Sequence, residues 1–258
     1  MGTNYFADTT HAAYPHPDTP IHWSRVLLML VSRTLLFVLF QALIAAVLAL
    51  LGTPSAWRAS AGWWLHVAAL ANVASILLLA HVFRLEGIRL RDVYAFDRQH
   101  MLGDILVTLG LLAISGVLSF FPNQWVGGLL FGDPEAPTRI LFPALPLWAA
   151  LLTLLFPITI AFAELPTYFA YVMPRLKVLT GRWWIAVLLA GFWLSAQHCT
   201  LPLVFDWRFI AWRLLMFLLF ALFVAAALAW RPRLLPYLMI GHFLIDLPVA
   251  LLLIQAAV

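Results

Sequence analysis

Seven stretches of apolar residues follow one another along the chain, separated by short polar breaks, at roughly residues 23–51, 62–83, 101–121, 143–176, 183–204, 209–230 and 234–257. A hydrocarbon core is about 30 Å thick and a helix rises about 1.5 Å per residue, so about 20 apolar residues make a span. Lipid offers no hydrogen bonds to the backbone, so each such run must pair its own N–H and C=O groups as a helix. The pattern predicts an all-α fold, a polytopic transmembrane helical bundle with about seven spans. The fourth run is too long for one crossing and is expected to project from the bilayer as a helix. Arg84–His100 mixes arginines with Leu, Ile, Tyr and Phe, as an amphipathic segment on the membrane surface would. Pro122–Phe142, with Gly127, Gly128, Pro134 and Pro137, is expected to be the one sizeable loop at the opposite end. Residues 1–22 are polar, hold His11, His16 and His22, and lack the apolar core of a signal peptide. They are expected to form a loosely ordered tail ahead of a transmembrane domain over 23–258.

Composition sharpens this picture. Hydrophobic residues make up 64% of the 258 positions and charged ones 10%, with a mean hydropathy of +0.98. Soluble domains average about 45–50% apolar and about 25% charged, so these charges cannot cover a water-facing surface. No second, soluble domain can be drawn from what remains. The net charge is +4, and its basic residues sit between apolar runs, which points to membrane orientation and not to nucleic acid. Arg25, Arg84, Arg89, Arg91, Arg98, Arg175, Lys177, Arg182, Arg231 and Arg233 fall in one set of connections; only Arg58, Arg139 and Arg208 fall in the other. The arginine-rich set is expected to be cytoplasmic, which places the N-terminus inside and the C-terminus outside. Arginine-rich, lysine-poor usage suits a bacterial inner membrane. The single cysteine, Cys199, excludes an internal disulfide and a cysteine-ligated metal cluster.

Polar residues inside the runs carry the chemistry. An ionisable group at the bilayer centre costs about 2.5–3.5 kcal/mol on insertion scales and is a functional candidate by default. Some have a bland reading. Arg33 can snorkel to the inner surface, Asp104 can cap a helix or face water, and Arg213 can snorkel or pair with an acid. His66, Asn72 and His81 suit interhelical hydrogen bonds. Others do not. Glu164 lies deep in the fourth run, His198 in the fifth, and His242 and Asp246 in the seventh, where their i, i+4 spacing places them on one helix face. Converging in the bundle, these four residues could activate a water and stabilise an oxyanion. Tyr168 and Tyr171, at i+4 and i+7 from Glu164, would share its side in a regular helix and line a pocket there. Pro166 removes a backbone donor, which is tolerated where the freed carbonyl meets a cavity or a neighbouring helix.

In order and spacing these elements resemble the CPBP family, the type II CAAX prenyl endopeptidases and bacteriocin-processing or immunity proteins. That family reads EExxxRGxxxPRL, then FxxxH, then HxxxN or HxxxD. Here Glu164 opens a segment closing on Pro174, Arg175 and Leu176; His198 leads into Thr200, Leu201 and Pro202; and His242 and Asp246 form the third element. The likeness covers about residues 143–255. Leu165 stands for the second glutamate, Phe169 for the arginine and Leu194 for the aromatic residue before the histidine, marking a divergent member. The resemblance implies an intramembrane protease acting on a membrane-embedded or lipidated peptide. Glu164 would be the general base, His198 would position the water, and His242 and Asp246 would stabilise the oxyanion. Asp246 can donate only when protonated; ionised, it would orient His242. No cofactor is implied, though the same four side chains could also bind zinc. Adjacent helix positions diverge by about 100°, which argues against a Cys199 nucleophile served by His198. The rival readings are a catalytically silent relative that binds or chaperones another membrane protein, and a proton-coupled transporter using Glu164 and Asp246 as relay sites.

The charge asymmetry is testable directly. A reporter active only outside the cytoplasm should work when fused after residue 258, and one active only inside should work when inserted at Arg91. The reverse at both positions overturns the orientation.

Overall fold

The computed structural model describes Ala13, Pro15 and residues 19–257. The tail histidines His11 and His16 lie outside the described residues, and His22 sits exposed at the start of the first helix. Every regular element among the described residues is helical. The long ones are α1 (Trp23–Leu50), α2 (Ala56–Leu85), α3 (Met101–Phe131), α4 (Leu147–Thr180), α5 (Trp183–Ala196), α6 (Trp207–Trp230) and α7 (Leu235–Ala257). Six are long and apolar enough to cross a membrane, and the chain is an integral membrane protein. The exception is α5, whose 14 residues span only about 21 Å.

The chain nevertheless passes seven times between two ends. At one end Arg175 binds Glu86, and Arg231 and Arg233 bind Asp104. At the other, Trp57 bonds the Leu203 carbonyl and stacks on Phe205, and Trp64 bonds the Leu141 carbonyl. The pass begun by α5 is completed by a 3₁₀ turn, Gln197–Thr200, and by non-helical residues up to Asp206. The fifth α-helix therefore ends before its pass is complete, with Leu194 and Ser195 of its last turn buried in the bundle.

One expectation from the pattern needs correction. Met101–Phe131 is one helix, so the expected loop at 122–142 starts ten residues later, after Gly132 ends α3 at φ 75°. Pro122 is accommodated inside the helix, and the glycines serve packing: a Cβ on Gly127 would lie 2.8 Å from the Pro134 carbonyl oxygen. The segment 84–100 is mostly irregular, with one helical turn at Leu90–Val93 that buries Val93. The long fourth run is a single helical stretch, but Pro166–Val172 within it is π-helical.

Prolines explain much of the polar wiring around that stretch. Pro166 cannot bond the carbonyl of Phe162, and the Tyr94 hydroxyl donates to it at 3.0 Å. Burial of that phenol pushes its pKa up, so it stays a donor at ordinary pH. Pro174 leaves the Ala170 carbonyl free, and Arg175 donates to it and to the Tyr171 carbonyl, each at 3.0 Å. The His198 carbonyl, which Pro202 cannot bond, accepts from the Leu201 amide at 3.2 Å and from Arg213 at 3.1 Å. Each of these carbonyls meets a side-chain donor, from another segment at Phe162 and His198 and from the same helix at Ala170.

Apolar packing divides into two clusters. One, around Met29, Leu79, Tyr171, Leu194, Ala225 and Leu238, fills the half towards Arg175. The other, around Phe37, Trp64, Ile160, Leu201, Trp212 and Leu253, fills the opposite half. Between them each helix carries polar side chains at one level: Arg33 on α1, Asn72 and Ser75 on α2, Ser115 on α3, Glu164 on α4, Arg213 on α6, His242 on α7, with Gln197 and His198 just after α5.

The Glu86–Arg175 pair, with side chains 2% and 0% exposed, ties α2 to the end of α4. Removing one partner of a buried pair strands the other, so Glu86→Ala should lower unfolding stability in detergent by roughly 3–5 kcal/mol. A loss under about 1 kcal/mol, the level of an exposed pair, would show that water reaches Arg175.

Candidate active site

Glu164 is the hub of the polar layer. It is 2% exposed, and its Oε2 accepts a 2.6 Å hydrogen bond from Gln197 Nε2 and lies 3.5 Å from Arg33 Nη2. The guanidinium of Arg33 is itself fully buried: Nε donates to Gln197 Oε1 at 2.7 Å and Nη1 to Asn72 Oδ1 at 2.9 Å. Asn72 in turn donates to Thr159 at 3.1 Å, and Tyr168 donates to Gln197 Oε1 at 3.3 Å. Arg33 thus does not snorkel, as its position near a helix end led us to expect. Taking a carboxylate out of water is costly unless an opposite charge and hydrogen bonds accompany it, and α1 delivers that charge to α4.

Both histidines approach the same carboxylate. His198 Nε2 lies 3.8 Å from Oε2 and His242 Nε2 lies 3.6 Å from Oε1. His198 Nδ1 is 2.9 Å from the Leu194 carbonyl. A carbonyl only accepts, so Nδ1 carries the proton in neutral His198 and Nε2 turns its lone pair towards Glu164. The ring stacks on Phe217 at 4.0 Å between centroids, which fixes its plane. His242 Nε2 also meets Asp246 Oδ2 at 3.1 Å across one turn of α7. Glu164, His198, His242 and Asp246 together face one cavity of about 310 Å³. A second cavity of about 320 Å³ opens between α3, α6 and α7 and shares His242 and Asp246 with the first.

The expected pocket pair of tyrosines is split. Tyr168 joins the network through Gln197, whereas Tyr171 donates to Glu86 at 2.9 Å and lies under Arg175. In the π-helical stretch each residue advances less around the axis than in an α-helix, so position i+7 no longer returns to the Glu164 face. Asp104 is fully buried between Arg231 and Arg233 and does not face water. Arg213 neither snorkels nor pairs with an acid; it is 3% exposed and holds the His198 and Leu201 carbonyls. His66 bonds the Ala149 carbonyl at 2.9 Å, an interhelical role like that of Asn72, and His81 is exposed. Cys199 turns away from the cluster and contacts the Ile210 carbonyl at 3.5 Å.

Two members of the site escaped sequence reasoning. Gln197 is uncharged and stands beside a histidine that drew the attention, although an amide in a long apolar run is itself a signal. Arg33 looked like an interfacial anchor. Leu165 and Phe169, where the resemblance lacks its second glutamate and its arginine, are buried apolar residues, and the cation beside Glu164 comes from Arg33 instead. Among the described residues, no group of three or more His, Cys, Asp or Glu is disposed to hold a metal ion. Set against protein-family models, curated proteins and solved structures, the chain matches none.

The Arg33–Glu164 pair predicts a specific non-additivity. Arg33→Leu or Glu164→Leu alone should each destabilise the protein by roughly 3–5 kcal/mol, because each strands a buried charge. The double variant should recover most of that loss in the same thermal-unfolding assay. Additive losses would mean that the two charges do not depend on each other.

Proposed function

We propose that this protein is an intramembrane endopeptidase in which Glu164 activates water. The single observation that supports this most is the cavity onto which Glu164, His198, His242 and Asp246 all face. Neutral His198 accepts one hydrogen of a water at Nε2, and Glu164 takes the other as the water oxygen attacks a peptide carbonyl. The Glu164–His198 separation of 3.8 Å is too long for a direct hydrogen bond and suits a water touching both. His242 donates its single Nε2 hydrogen towards the oxyanion, and the Asp246 carboxylate, 3.1 Å from that nitrogen, supplies the negative charge that keeps the ring protonated. Arg33 and Gln197 are positioning residues; they keep the carboxylate aimed and its charge matched.

The ordered motifs that resemble the CPBP family support the same reading, and they point to a membrane-embedded or lipidated peptide as substrate. The charge asymmetry supports an arginine-rich end inside, and the arginine-rich, lysine-poor usage supports a bacterial inner membrane. No step is routed through a metal, and zinc on the same four side chains is the alternative that chelation decides. A silent partner protein is the second reading, favoured by the loss of acid and base at Leu165 and Phe169; Arg33 offsets that loss in charge.

Purified protein should cleave an apolar or lipidated peptide, and Glu164→Gln should abolish cleavage while keeping the fold. Activity surviving in Glu164→Gln removes the mechanism, and cleavage lost to chelators and restored by zinc replaces it with a metalloprotease. Asp246→Ala should cost roughly two to three powers of ten in kcat. If Asp246 orients His242 as an anion, Asp246→Asn should be nearly as damaging at every pH. Retained activity in Asp246→Asn, extending to higher pH, would instead make Asp246 a protonated donor.

A further inference from the structure

Three arginines are buried in the bundle: Arg33, Arg175 and Arg213. Arg33 faces Glu164 and Arg175 faces Glu86, so two of these cations have a carboxylate. Among the described residues Arg213 has none within 4.0 Å. Its Nε and Nη2 donate to the carbonyls of His198, at 3.1 Å, and Leu201, at 2.5 Å. Those dipoles satisfy two of five N–H donors, and Glu164, the carboxylate whose charge reaches Arg213 from beyond that distance, is already held by Arg33 at 3.5 Å. Nη1 meets only Met216 Sδ, at 3.9 Å, a weak acceptor. Around it stand the rings of Trp64, Trp212 and Phe217, with centroids 5.2–6.0 Å from the guanidinium carbon. An arginine 3% exposed, within a membrane-spanning helix and with no carboxylate within 4.0 Å among the described residues, is an expensive arrangement that an added anion would relieve.

The place for that anion exists. Arg213 lines the same cavity of about 310 Å³ as Glu164 and His198. Asn123 and Thr138 line it too, and the Asn123 carbonyl is already occupied by Trp212 Nε1 at 2.9 Å, which leaves its amide hydrogens to donate. Apart from these and the Glu164 cluster, the wall is aromatic and aliphatic. One guanidinium matches one monoanion in charge and, as a planar fork, in shape. A phosphate dianion would remain under-compensated. We propose that Arg213, with Asn123 and Thr138, forms a binding site for the carboxylate of an apolar molecule lying in this cavity. Two sources carry that chemistry, the C-terminal carboxylate of an apolar peptide and a free fatty acid. The site shares its cavity with the proposed peptidase centre but does not need Glu164 to hydrolyse anything.

The test is equilibrium binding to the full chain in zwitterionic nanodiscs, followed by tryptophan fluorescence. The wild-type chain is the reference throughout, and each probe is checked by mass spectrometry to be intact at the end of its titration. The probes are an N-acetylated leucine-rich tetrapeptide with a free C-terminus, the same peptide as its C-terminal amide, dodecanoate and dodecanamide. At least one acid should bind at least about tenfold more tightly than its amide, the ordinary effect of a charge-assisted pair. Arg213→Gln, which keeps N–H donors for the two carbonyls but not the charge, should erase that preference. Which acid shows it names the source. Equal affinity of acid and amide for both pairs overturns the proposal, and so does a preference that survives Arg213→Gln. If Arg213→Gln does not fold, Arg213→Lys is read in its place. It keeps the charge without the fork and should bind the acid several-fold more weakly, and undiminished affinity overturns the proposal. Absence of the preference alongside peptide cleavage by the wild type defeats this inference alone. Its presence without any cleavage supports this inference and defeats only the peptidase reading.

Discussion

A carboxylate held in the middle of a lipid-embedded bundle must bring its own counter-charge and its own hydrogen bonds. Glu164 obeys this rule through Arg33 and Gln197. Satisfying it recruits α1, α2 and the turn after α5, because Arg33 in turn needs Asn72 and Gln197. Arg33, Asn72, Thr159, Glu164, Tyr168 and Gln197 therefore form one connected network, with apolar packing on both sides. Moving any of these helices by a residue would leave a charge or an amide unpaired in hydrocarbon, at a cost of several kcal/mol. The network fixes the register of the bundle as much as the packing does.

The same rule runs through the backbone. Pro166, Pro174 and Pro202 each withhold an amide donor from a carbonyl close to the candidate site, and Tyr94, Arg175 and Arg213 each donate to one. These repairs fasten the 84–100 connection and α6 to the segments that carry Glu164 and His198. The short α5 belongs to this arrangement: it ends at Ala196, and the 3₁₀ turn that follows carries both Gln197 and His198, whose side chains approach the Glu164 carboxylate.

Much of this was legible in the residues. The apolar runs gave the all-α bundle and its passes, and a glutamate, two histidines and an aspartate within those runs stood out as costly. What was not legible has physical causes. Arg33 sits where arginines usually reach back to the interface, and only the fold reveals that Glu164 lies beside it. Gln197 carries no charge to flag it. The π-helical stretch turns Tyr171 off the face that regular helical spacing assigns it, and nothing in PTYFAYV signals the change of pitch. The continuation of α3 through Pro122 and two glycines depended on its packing against the following connection, which no local pattern contains.

Whether the polar layer hydrolyses peptide bonds is most directly settled by labelling new peptide termini in membranes from cells that hold either the wild type or Glu164→Ala at equal abundance. Mass spectrometry should find termini within or beside apolar segments in the wild-type sample that are missing from the variant. Identical sets of termini, with the wild type shown to be folded and present, would contradict the account.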